Sequence, residues 1–262
     1  MKKFLALMLT LVVASAFVAG CGGDKAATKK EAGKKIVVGL DDNFPPMGFK
    51  NEKNEIVGFD IDMAKEAAKR LGRPVEFKAI DWSSKEAELK SGRIDVIWNG
   101  LNITEERKKN MLFSNPYMEA KQLIFIPAGS PVKGQADLAG KVIGIQSAST
   151  AEQNLENDKA FAGTLKEVKK YPDCIAAMMD MEAGRVDAII TDEIVGRYYM
   201  EKKPGKFVAL EKPVGPIGNF GIAFRLDDKA LQGDIQKVLD EMKKDGTSAK
   251  ISKQWFGADI VK

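Results

Sequence analysis

The sequence predicts an α/β protein whose sheets are mainly parallel and flanked by helices. From Ile36 onward, β-rich apolar runs alternate with helical patterns, which is the rhythm of strand–helix–strand units. The stretch "SGRIDVIWNG" (91–100) also returns as "AGRVDAIITD" (183–192). Both copies read small residue, Gly-Arg, β-branched residue, Asp, apolar run. One copy falls in each half of the 262-residue chain, a length that accommodates two ordinary lobes.

The N-terminus reads as an export signal. "MKK" precedes the apolar run Phe4 to Ala19, and "VAGC" closes at Cys21. A charged start, an apolar stretch short for a spanning helix and small residues before a cleavage point make a signal peptide over 1–20. "VAGC" resembles the lipobox of bacterial lipoproteins, which implies lipidation of Cys21. The polar, Lys- and Gly-containing segment that follows, with no periodic apolar face, is expected to be a flexible tether over 21–35.

The elements then follow in order. "IVVGL" is a strand. "FDIDMAKEAAKRL" places Ile61, Ala64, Ala68 and Leu71 on one helical face, and Gly72 with Pro74 stops the helix. "VEFKA", the helix "SSKEAELKSG" and the strand "IDVIWNG" come next, and Thr104 is the expected N-cap of "TEERKKN". After "LIFIPAG" a second series runs "VIGI", "QSASTAEQNLE", "LKEVKKY", "DCIAAMMDMEAG", "VDAII" and "DEIVGRYYMEKK". "VGPIGNFGIAF" is a Gly/Pro-rich crossing into another strand, and two amphipathic helices close the chain.

Composition narrows the functions. Hydrophobic residues at 44% and charged residues at 30% describe a soluble globular protein. The formal net charge is only +4, and no basic block interleaved with aromatics suggests a nucleic-acid surface. Histidine is absent, which removes the commonest general base and the commonest zinc ligand. With Cys21 lipidated, Cys174 has no disulfide partner. No GxSxG, P-loop, CxxC or HExxH motif occurs, so no catalytic residue, metal or cofactor is expected.

Ligands of open α/β sheets bind beyond the carboxyl ends of the strands. There the two copies differ: one leads to "NGLNITEER", the other ends in Asp192. Arg107, one turn into the helix capped by Thr104, offers a planar fork suited to a carboxylate, although an isolated Arg in such a helix is usually solvated. Asp192 is either an N-cap or an ammonium partner. "GIQSAST" (144–150) bares backbone donors to an anion or is plainly capped by Ser149 or Thr150. Phe44, stiffened by its prolines, and Trp82 both end strands, where they sandwich a side chain or fill the core.

Several motifs in order carry a family resemblance. "GFDIDMAKEAAKRL" (58–71) matches the signature of the family 3 extracellular solute-binding proteins, the amino-acid receptors of ABC importers. "NGLNITEERKKNMLFSNPY" (99–117) is similar to that family's block running from its T-I-T-x-x-R stretch to its F-S-x-P-Y stretch. The resemblance implies a two-lobed periplasmic-binding-protein clamshell of type II. Lobe 1 would comprise 36–116 plus 221–262, lobe 2 would comprise 122–215, and two hinge strands would lie at 117–121 and 216–220.

Carried over by position, Arg107 would bind the ligand α-carboxylate, helped by backbone at Gly100, Asn102 and Thr150, and Asp192 would take the α-ammonium. Asp41 would touch the ammonium or a polar side-chain end, flanked by Phe44 and Trp82, while Asn99, Glu119, Gln146 and Trp98 would line the pocket. Asn102 departs from the family's usual Ser or Thr. The implied partners are a free polar or basic L-amino acid, a membrane permease and the membrane itself through Cys21. The protein is expected to be a monomer outside the cytoplasm that binds and transforms nothing. A dehydratase-like enzyme on the same fold and a sensory amino-acid receptor are the alternative readings.

Overall fold

The computed structural model describes residues 33–262; the leader-like segment and Cys21 lie outside them. In chain order, β1 (Ile36–Leu40), β2 (Asn43–Phe44), β3 (Gly48–Lys50) and β4 (Ile56–Val57) lead to α1 (Phe59–Leu71). β5 (Val75–Ala79), α2 (Lys85–Lys90), β6 (Val96–Ile97), α3 (Glu105–Lys108) and β7 (Met111–Phe113) follow. β8 (Met118–Ala120) hands over to β9 (Gln122–Pro127), β10 (Val142–Gln146), α4 (Thr150–Asn157) and α5 (Lys159–Ala162). Then come β11 (Glu167–Tyr171), α6 (Cys174–Glu182), β12 (Ala188–Asp192), α7 (Glu193–Lys202) and β13 (Phe207–Leu210). β14 (Gly218–Phe220), β15 (Ala223–Arg225), α8 (Lys229–Lys244) and α9 (Thr247–Phe256) complete the described chain.

One plan is built twice. Lobe 1 holds a five-stranded sheet in the order β5-β1-β6-β15-β7, and lobe 2 one in the order β11-β10-β12-β9-β13. In each sheet the first three strands are parallel. The fourth runs antiparallel to both of its neighbours. β8 pairs antiparallel with β14, Met118 opposite Phe220 and Ala120 opposite Gly218, so both passes of the chain between the sheets share one short ladder.

Packing follows the periodicities. On α1 the expected face is buried at Ile61, Ala64 and Ala68, and Phe59, Met63 and Ala67 widen it against Ile235, Val238 and Met242 of α8. Gly72 ends α1 in the left-handed conformation, its N–H reaching the carbonyls of Ala68 and Lys69. β9 shows why a central strand reads as an unbroken apolar run. Leu123 and Phe125 pack with Met178 and Met181 on one face, Ile124 and Ile126 with Leu155 and Phe161 on the other.

The duplicated segment is a scaffold device. Gly92 and Gly184 turn the chain out of α2 and α6 at φ +73 and +72, a region that costs other L-residues energy. Arg93 reaches back to Glu88 at 2.9 Å and Arg185 to Asp180 at 2.8 Å. Asp95 accepts the N–H of Val37 at 3.0 Å, and Asp187 that of Val142 at 2.8 Å. Each copy thus ties a helix end to the equivalent parallel strand of its own lobe, β1 or β10.

Two details depart from the expectation. "DDNFPPMGF" (41–49), where the prolines were expected only to stiffen the chain at Phe44, forms most of a small antiparallel sheet in which Asn43 and Phe44 pair with Phe49 and Gly48. The strand expected over "IDVIWNG" is regular only at Val96–Ile97, although the Asp95 and Trp98 N–H groups still bond to β1 before the chain turns at Gly100.

Candidate functional site

Beyond β6 the chain folds into a tight loop. Gly100 sits at φ +56, and a Cβ there would lie 2.8 Å from Phe44 Cε1. Its N–H donates at 2.7 Å to Asp60, which is fully buried, and the Tyr117 hydroxyl donates to the same oxygen at 3.0 Å. Burial pushes the Asp60 carboxyl up to about 7. Thr104 then caps α3 as expected, its hydroxyl accepting the Arg107 N–H at 3.2 Å. The cap starts the helix so that the Arg107 side chain turns inward, where it is 6% exposed.

The Arg107 guanidinium joins the lobes. Nη1 donates to the Asn102 carbonyl at 2.9 Å and to Thr150 Oγ1 of α4 at 3.1 Å. Nη2 donates to the Ala148 carbonyl at 3.3 Å. Burial pulls its pKa down to about 10.

Asp192 holds the N-cap position of α7 but makes no side-chain cap. Its Oδ1 instead accepts from Gln122 Nε2 at 2.5 Å and from Asn102 Nδ2 of lobe 1 at 3.2 Å. Burial pushes this carboxyl up to about 6, with the two amides and Arg107 opposing the rise. Asn102 therefore spans the two charges, its carbonyl on the cation and its amide on the anion.

A second cross-lobe group surrounds Asp41. Gln146 Nε2 donates to it at 2.7 Å, the Asn43 N–H donates at 2.9 Å, and the Asp41 N–H donates to Asn99 Oδ1 at 3.1 Å. Burial pushes the Asp41 carboxyl up to about 6, and the nearby Asp173 charge raises it further. Asn43 Nδ2 donates across the lobes to Asp173 at 3.2 Å, and the Cys174 thiol, free and buried, donates to the Asn43 carbonyl at 3.3 Å.

Buried acid and base held by neutral amides and carbonyls on facing lobes are chemically suited to a small dipolar molecule, since each charge gains strength as water leaves. Among the described residues no Cys/Asp/Glu group of three or more is placed to hold a metal ion. Comparison with known proteins shows the family. Residues 36–258 match the family described as bacterial extracellular solute-binding proteins, family 3. The chain belongs to this family. The L-cystine-binding protein TcyJ of Escherichia coli (strain K12) is 29% identical, covering 100% of this chain and 97% of that protein. A substrate-binding protein of an ABC uptake transporter from Streptococcus pneumoniae, solved with bound histidine, superposes with TM-score 0.83 at 33% identity, covering 87% of this chain and 94% of that one. An ancestral arginine-binding protein solved with arginine gives TM-score 0.79 at 43% identity, covering 85% and 98%.

For this family 3 protein, the structure gathers Arg107, Asn102, Thr150 and Asp192 into one network, and Asp41, Asn99 and Gln146 into another. Gly100 contributes a turn, its N–H being engaged by Asp60. Phe44 packs in the main core and Trp82 in a separate cluster with Leu89 and Ile94. Among the described residues Glu119 makes no hydrogen bond or ion pair to either network. On β8 the buried neighbours Met118 and Ala120 turn it outward, where it pairs with Lys121 at 3.1 Å and Lys262 at 3.8 Å.

Sequence reasoning missed Lys85, Gln122 and Asp60. Lys85 lies four residues before Leu89, so a helical wheel places it on the buried face of α2. Gln122 faces Asp192 only through the β9–β12 pairing, which no local pattern encodes.

Proposed function

We propose that this chain is the amino-acid receptor of an ABC importer, capturing a polar or basic L-amino acid as its lobes close and presenting it to a membrane permease. The observation that carries the reading is Asn102, which joins a buried cation of lobe 1 to a buried anion of lobe 2. A zwitterion brings the opposite charge to each, so it stabilises the closed arrangement by differential contact. Arg107 takes the α-carboxylate, Asp192 the α-ammonium, and Asp41, reinforced by Asp173, a cationic side-chain end. The β8–β14 ladder serves as the hinge between lobes 36–116 plus 221–262 and 122–215. The receptor is a monomer held outside the cytoplasm by lipid on Cys21. Relatives that bind arginine and histidine support the basic preference.

A thermal-shift screen of the standard amino acids tests this, because a ligand that binds only the folded form raises the melting temperature. Arginine, lysine or histidine should give the largest rise. A screen with no responder overturns the receptor reading, and a screen led by leucine or valine overturns the polar preference. Cys21→Ala should release the protein from the membrane fraction; retention there refutes the lipid anchor.

A further inference from the structure

Two buried cations converge on one neutral oxygen. Lys85, the first residue of α2, is 3% exposed. Its ammonium donates to the Trp82 carbonyl at 3.1 Å and, across the lobes, to the Ala148 carbonyl at 2.9 Å. The same Ala148 oxygen takes Arg107 Nη2 at 3.3 Å. Ala148 stands at φ +54 just before α4, a left-handed position unusual for a residue with a Cβ, and its carbonyl is received by lobe 1 rather than by its own helix.

Among the described residues the hydrogen-bond partners of both head groups are carbonyls and a hydroxyl, never a carboxylate. The carboxylates that act on Lys85 at longer range are committed elsewhere. Glu152 holds the Ala148 N–H and Lys170, Glu86 accepts from Asn110, and Asp81 accepts from Ser83. Burial, then the Arg107 charge, pull the Lys85 ammonium down to about 7. A carbonyl dipole compensates two desolvated charges poorly, and buried charges are ordinarily paired. The Trp82 ring, 4.9 Å from Nζ, adds a cation–π contact that offsets only part of this cost.

We propose that Lys85 is a second reader of the ligand's carboxylate, sharing that anion with Arg107. The inference rests on the amino-acid reading above and sharpens its substrate class: amino acids with a free, ionised α-carboxylate are held tightly, and amidated or peptide-linked ones much more weakly. Arg107 supplies the fork that orients the carboxylate, and Lys85 adds a point charge from the same lobe. Together they set the preference for acid over amide.

The test is calorimetry with L-arginine, L-histidine and L-glutamine, each against its own α-carboxamide, on wild type and Lys85→Met. The variant should weaken the acids about tenfold or more, as expected for a lost charge-assisted contact, and leave the amides unchanged. Lys85→Arg, which keeps the charge, should retain the acid preference. The ligand-free melting temperature of Lys85→Met should hold or rise, because replacing a buried charge by an apolar side chain removes its desolvation cost. Equal weakening of acid and amide, or a marked fall in that temperature, makes Lys85 a strut and overturns the inference. So does a variant with unchanged acid affinity. A wild type that binds none of the three acids defeats the amino-acid reading itself, and shows it before any variant is made.

Discussion

In lobe 1, Asp95 fastens the end of α2 to Val37; in lobe 2, Asp187 fastens the end of α6 to Val142. Both copies leave their helix through a left-handed glycine and carry an Arg that reaches back to the helix. Past the strands the likeness stops. Lobe 1 continues through Gly100 and Asn102 to a cation, whereas lobe 2 stops at once on an anion, Asp192. The repeated residues hold each sheet together, and the unrepeated ones face the other lobe. The repeated residues thus frame each sheet, and the strand ends place opposite charges on facing lobes.

That division can be broken by mutation. The largest effect belongs to the unshared ends. Arg107→Ala or Asp192→Ala should lower ligand affinity by at least about a hundredfold, since each leaves a buried charge of the ligand without its partner. Calorimetry giving near wild-type affinity for either variant would contradict the clamp.

The shared residues should instead move stability. Asp95→Ala and Asp187→Ala each orphan a strand N–H, a loss of about 1–3 kcal/mol. The Asp95 side chain is 11% exposed and paired with the partly buried Arg225, whereas that of Asp187 is 39% exposed and paired with the exposed Lys141, so Asp95→Ala should be the costlier. Urea unfolding measures both, and the reverse order would show that burial does not set the difference.

Protons test the anionic ends. Burial pushes Asp41 and Asp192 up to about 6. The stability each gives the ligand-free closed form is thus fully present below the ordinary value near 3.8 and lost as pH rises through about 6. A cationic ligand group needs the ionised form, so affinity should fall about tenfold between pH 7 and pH 5. Asp192→Asn should flatten that slope, and an unchanged slope would remove Asp192 from the ammonium contact.

The smallest effect lies at the two glycines. A Cβ at Gly92 or Gly184 meets nothing within 4 Å, so an Ala at either suffers only the left-handed backbone, about 1 kcal/mol. Denaturation curves should show matching losses. Unequal ones would mean that the two turns are not equivalent.

Much of this was legible in the chain. The wheel of α1 with its Gly72 stop, the Thr104 cap and the apolar run of β9 follow from local periodicity, and each is present. The outward turn of Glu119 was legible too, because Met118 and Ala120 alternate with it, whereas its pocket-lining role came only from the family resemblance. What local patterns could not decide was Asp192. An acid before a helix reads as a cap, and only the long-range pairing with Gln122 and the approach of Asn102 show that it is not one. Lys85 was hidden for a related reason: a lysine in a charged helix reads as solvated until the opposite lobe covers it.

The interleaving of β15 between β6 and β7 has a kinetic side. Lobe 2 is drawn from one continuous stretch, so its strands can associate without waiting for a later segment. The first sheet must wait with a gap at its fourth place until Ala223–Arg225 arrives. A polypeptide halted before residue 223 would hold one nearly finished half and one open-edged half, and that exposed edge is where a quality-control chaperone would find purchase.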